Sequence, residues 1–185
     1  MKAIAMEHGT RRRMKIISAL LVLIGMSAAA LADPKETLGP ELRQLAFDTK
    51  PSELGFTADE EFPKVYGVVI DWPVEDQMAT IVALRDGTAS LYTTKKYGII
   101  GGDSRPAARE AAVMCTRTAG HFLDTAKRAE KFPYPKQGEV FFYFLTYDGV
   151  FVASAKEAAL FDESDPHTVL FAWGQRVLTE LQAKK

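Results

Sequence analysis

The sequence predicts an α/β (α+β) domain: a five-stranded, mainly antiparallel sheet with a long central helix and a C-terminal helix. Three observations carry that expectation. Asp86-Gly87 and Asp148-Gly149 each separate two β-branched, aromatic runs, the arrangement of a tight hairpin. Ala108, Ala112, Cys115, Ala119, Phe122, Ala126 and Ala129 recur at steps of four and three, and nearly all are small, so a helix can lie close against a sheet. Leu170, Trp173, Val177 and Leu181 repeat that period near the end of the chain.

The first 32 residues are of another kind. Arg11, Arg12, Arg13 and Lys15 precede the apolar run Ile16 to Met26, and Ala30-Leu31-Ala32 supplies a small-x-small site. That order describes a signal peptide cleaved after Ala32. The run is short of the roughly 20 residues a membrane span needs, and Ser18, Gly25 and Ser27 dilute it. The arginines read as an ordinary positive n-region more readily than as a twin-arginine export motif.

Losing Lys2, Arg11, Arg12, Arg13 and Lys15 against Glu7 takes the net charge from −1 to −5. That sign argues against nucleic acid or an anionic membrane as a partner. Cys115 is the only cysteine, so no internal disulfide can form and an exported chain should bury this thiol. The expected organisation is a leader over 1–32, a lead-in over 33–64 and a single α/β domain over 65–185.

Taken in order, Asp33 to Gly39 reads as a polar lead-in, and Leu42, Leu45 and Ala46 predict a short helix over Pro40 to Phe47. Lys50 to Lys64 reads as an irregular strap pinned by Leu54, Phe56 and Phe62. Val65 to Trp72 is a strand that Pro73 should end. Gln77 to Arg85 and Thr88 to Thr94 form a hairpin through a two-residue turn, which sets Leu84 opposite Ala89 and Val82 opposite Leu91 on one face, with Ala83/Ser90 and Ile81/Tyr92 on the other. Ser104 caps a helix running to Lys131, with Pro106 in its first turn. Val140 to Thr146 is apolar throughout, as a central strand covered on both faces should be. It returns through Asp148-Gly149 into Val150 to Ser154, pairing Leu145 with Val152. Asp165-Pro166 opens the last helix, which runs to about Gln182.

Chemistry has few footholds here. The loop from Gly98 to Arg105 places Gly101, Gly102 and Ser104 before a helix, with Arg105 and Lys96 in reach of an anion. Its simpler reading is a turn and a cap. His121 falls on the polar side of the long helix, and His167 lies at the start of the last one without a ligand at metal spacing. No nucleophile elbow, metalloprotease motif or paired Cys-x-x-Cys is present in the sequence, and no cofactor or metal site is expected.

The strand and helix order, with Val65 to Asp71, Asp86-Gly-Thr-Ala-Ser-Leu-Tyr92 and Gly98-Ile-Ile-Gly-Gly102, resembles the profilin-like and roadblock-like layouts and certain uncharacterised bacterial exported proteins. The resemblance covers roughly residues 52–155 and rests on backbone motifs. Roadblock-like domains are interaction modules that dimerise, so the resemblance implies a protein partner or a second copy. The leading expectation is an exported, non-enzymatic binding or protein-interaction domain, periplasmic or secreted, with no stable membrane anchor after cleavage. One competing expectation is a sensor or carrier of a small anionic or polar ligand using the Gly98–Arg105 loop. The other is a hydrolase using carboxylates such as Asp71 and Asp103.

Overall fold

Two apolar strands at the centre of one sheet organise the protein. The computed structural model describes residues 38–95, 98–100 and 105–183. The leader and residues 33–37, together with Lys96, Gly101, Gly102, Asp103 and Ser104, lie outside the described residues. In chain order the elements are α1 (Gly39–Asp48), β1 (Val65–Val74), β2 (Gln77–Leu84), β3 (Ala89–Thr93), β4 (Gly98–Ile99), α2 (Pro106–Ala119), a 3₁₀ turn (Gly120–Thr125), β5 (Lys127–Arg128), β6 (Glu139–Thr146), β7 (Gly149–Lys156), α3 (Glu157–Phe161) and α4 (Thr168–Gln182). Among the described residues these are four α-helices and one antiparallel sheet in the order β4-β3-β2-β1-β6-β7-β5.

The sheet therefore has seven strands, not five. The additions are the dipeptides β4 and β5, one at each edge, too short to carry an alternating pattern. The five long strands are those expected, and β6 lies beside β1 with Val140, Phe142, Tyr143 and Phe144 fully buried.

Both hairpins turn differently from the expectation. At Asp86-Gly87, Leu84 N–H donates to Thr88 O at 2.9 Å and Gly87 N–H to Leu84 O at 3.0 Å, with Gly87 at φ 86°. That is a three-residue loop with a left-handed glycine, not a two-residue turn, and it slips the register by one. Ile81 therefore faces Leu91 and Ala83 faces Ala89, while Val82 and Leu84 point to the opposite side of the sheet. At the second hairpin the turn residues are Tyr147 and Asp148, so Leu145 pairs with Val150 and Thr146 with Gly149. Thr146 fixes that turn: its hydroxyl donates to Gly149 O and accepts from Asp148 N–H.

Strand β1 runs through Pro73 to Val74. Past Asp71 it has no β6 partner, which is where a strand tolerates proline. The central helix is shorter than expected: α2 ends at Ala119, and the chain tightens into the 3₁₀ turn before β5 pairs with β7. Gly120, a poor helix former, marks the stop, and Ala129 N–H then bonds Val150 O on the sheet edge. The N-cap of α2 is Arg105, and the expected cap, Ser104, lies outside the described residues. Asp165 caps a turn ahead of α4, through His167 N–H at 2.8 Å, and α4 itself starts at Thr168.

The sheet is covered on both sides. On the first face, Ala108, Ala112, Cys115 and Ala119 of α2 and Leu170, Val177 and Leu181 of α4 pack against Val68, Ile70, Ile81, Phe142 and Phe144. On the second face, Phe47 of α1 and Leu54 and Phe56 of the strap lie over Tyr66, Val69, Val82, Tyr143 and Leu145. Arg85 secures the strap as well: its Nη1 donates to Thr57 O, its Nη2 pairs with Asp59, and its guanidinium lies 4.7 Å from the Phe62 ring. No helix among the described residues is long and apolar enough to cross a membrane.

Candidate functional site

Arg105 is the one described residue of the expected ligand loop that carries a charge, and it is engaged elsewhere. Its Nη1 donates to the Leu181, Ala183 and Glu180 carbonyls at 2.6, 2.8 and 3.2 Å. These are terminal carbonyls of α4 that have no partner within the helix, so Arg105 acts as a C-terminal cap. Lys96, Gly101, Gly102 and Ser104 lie outside the described residues.

Asp71 is buried completely on the second face. Its Oδ2 accepts from Arg43 Nε at 2.8 Å and Nη2 at 2.6 Å, and its Oδ1 accepts from the Thr80 hydroxyl at 2.6 Å. Burial pushes the carboxyl above its ordinary range, while Arg43 and Thr80 pull it back. Both oxygens are thus occupied inside the fold, which leaves neither facing a substrate.

His167 sits at the foot of α4, 6% exposed. Its Nδ1 lies 2.8 Å from Asp165 Oδ1 and its Nε2 lies 3.2 Å from Thr125 Oγ1. Asp165 and His167 share one turn, and Thr125 reaches them from 42 positions away, a pairing that no local spacing records. The Thr125 hydroxyl donates at 2.7 Å to Phe122 O, and the imidazole is stacked at 5.4 Å on Phe142 with Phe122 at 5.0 Å on its flank. Rings on both flanks leave no space for a substrate over the imidazole, so the cluster clamps the 3₁₀ turn to the start of α4. His121 is exposed. Cys115 is fully buried, as expected, and burial pushes its thiol up to about 12.

One open surface lies on the helix layer. A groove of about 610 Å³ runs between α2 and α4, bounded by Ala107, Glu110 and Ala111 on one side and by Val169, Ala172 and Trp173 on the other. Each set follows helical spacing, so each presents a ridge. The sequence assigned Trp173 to the buried stripe. Trp173 is half-buried: it packs against the first-face core and also lines the groove, while Gly174 takes the fully inward place against Ile70. Val169 is 57% exposed. Glu110, Glu163 and Arg176 stand at the rim, and Arg176 pairs with Glu180 at 2.7 Å.

Comparison with protein-family models, with curated proteins and with solved structures finds no match.

Proposed function

We propose that this chain is an exported, non-enzymatic binding domain that engages a protein partner through the α2–α4 groove. The groove carries the reading: it is a concave surface between Ala107 and Ala111 of α2 and Val169, Ala172 and Trp173 of α4, with Glu110, Glu163 and Arg176 at the rim. An amphipathic helix fits it, with its apolar ridge between the two helices and flanking lysines or arginines against the glutamates. The side chains with reactive chemistry add weight, because Asp71, His167 and Cys115 are all buried within the fold. The leader over residues 1–32 supports a periplasmic or secreted setting. The strand–helix–strand–helix order, with α2 and α4 together on the first face, supports a profilin-like or roadblock-like layout.

A photo-crosslinking amino acid placed at Val169 in the full chain, expressed in a Gram-negative cell, tests the proposal. The expected result is a discrete adduct at Val169, absent from a control at the exposed Glu53 and lost when Ala172→Glu fills the groove. Equal crosslinking at both positions, or adducts indifferent to Ala172→Glu, would overturn it.

A further inference from the structure

The second face holds another set of converging groups, gathered around the buried Asp71. We infer that Asp71 and the aromatic side chains around it form a guanidinium-binding site, of which Arg43 is the occupant supplied by the chain itself. The receptor is assembled almost wholly outside α1. Asp71 comes from β1, Thr80 from β2, Tyr143 from β6, and Phe132, Pro133 and Tyr134 from the strap that follows β5.

Its parts match one shape of cation. Asp71 Oδ2 takes two donors from one edge of the guanidinium, and the Phe132 carbonyl takes another at 2.9 Å. The Tyr134 ring lies 4.1 Å from the guanidinium carbon, with Phe47 at 4.9 Å and Tyr143 at 5.6 Å. A planar, weakly hydrated fork satisfies the carboxylate and the ring faces together, whereas an ammonium is a compact point charge with a strong hydration shell. The receptor is also held in place without Arg43. Thr80 orients the carboxylate, and the Tyr143 hydroxyl donates to Pro133 O at 2.5 Å, tying the strap to the sheet.

From α1 itself, Arg43 and Phe47 are the buried residues. Arg43 supplies the guanidinium, and Phe47 one of the rings beside it. An external alkylguanidinium, such as the side chain of a partner's arginine, fills the same place when Arg43 does not.

Chemical rescue in the full chain tests this. Arg43→Ala empties the site and lowers the unfolding midpoint. Ethylguanidinium at a hundred times its Kd should raise that midpoint by roughly 5–10 °C. Ethylammonium at the same concentration should not, and neither cation should act on the unaltered chain at that level. Adding Asp71→Asn to the Arg43→Ala chain should abolish the rescue. If Arg43→Ala leaves the chain unfolded, ethylguanidinium should restore the far-ultraviolet dichroism of the fold. Equal shifts with both cations, rescue that survives Asp71→Asn, or an Arg43→Ala chain that responds to neither cation would overturn the inference.

Discussion

Gly174→Ala is a sharp probe of how α4 is seated, and its sign is worked from two opposing terms. Gly174 lies within α4, where replacing glycine by alanine ordinarily stabilises a helix by about 1 kcal/mol. Here an added Cβ would stand 2.5 Å from Ile70 Cδ1, well inside contact distance, and Ile70 is fully buried in β1. Overpacking of this kind costs about 1–3 kcal/mol. The net expectation is a loss of up to about 2 kcal/mol, which lowers the unfolding midpoint by roughly 2–4 °C per kcal/mol.

The clash has a single named atom, so it can be removed alone. Ile70→Val deletes Cδ1, and the next Ile70 atom, Cγ1, is 3.8 Å from the added Cβ, an ordinary contact. On its own Ile70→Val costs about 0.5–1.5 kcal/mol. In combination the new methyl occupies the vacated space, and the double variant should return close to the parent. Urea unfolding followed by circular dichroism and by the fluorescence of Trp72 and Trp173 closes the cycle. A coupling energy of about 1–3 kcal/mol is expected; additivity within about 0.5 kcal/mol would refute the argument that Gly174 is dictated by its approach to the sheet.

Two further expectations follow from side chains already placed. Burial pushes the Tyr66 and Tyr143 phenols up to about 12, so each is held neutral in the fold above the usual value of 10.0. Their contribution is full below pH 10 and is lost as pH rises through 12, on the order of 2–3 kcal/mol each. Tyrosinate absorbance from these two should appear only above the usual phenol range, with alkaline unfolding, and a full tyrosinate signal near pH 10 from the folded chain would contradict this. Arg105→Ala should fray the end of α4 and cost about 1–3 kcal/mol, read as faster amide exchange over residues 178–183 with little change in α2. Unchanged exchange there would free Arg105 for the ligand role first considered for it.

Much of the fold follows from period and punctuation. Val140 to Thr146 could be placed at the centre because it offers no polar face, and α2 could be laid on the sheet because its stripe is nearly all small. Where the reading slipped, the cause lies in pairings that no local pattern records. Asp86-Gly87 suits a two-residue turn and equally a three-residue loop, and the backbone bonds from Leu84 to Thr88 decide between them. That choice carries Val82 and Leu84 to the second face. The small-residue stripe continues through Ala126 and Ala129, yet β7 offers its free edge to that stretch, and ladder bonds override the helical preference.

The sites were less legible than the elements, and for a different reason. Asp71 stood in plain view as a carboxylate inside an otherwise apolar strand, and a charge in that position demands a buried counter-ion. That rule names the need without naming the residue, because Arg43 is 28 positions away on a helix whose stripe reads as Leu42, Leu45 and Ala46. The groove between α2 and α4 was hidden by a similar ambiguity: Trp173 and Gly174 are neighbours, and the larger residue is the natural choice for the core. The close approach of Ile70 sets glycine fully inward, and Trp173 stands half-buried at the edge of the core, where it also lines the groove. The proposed binding surface and the Gly174 cycle therefore rest on the same contact. If alanine were accommodated at Gly174 without coupling to Ile70, the reason for Trp173 facing the groove would fall with it.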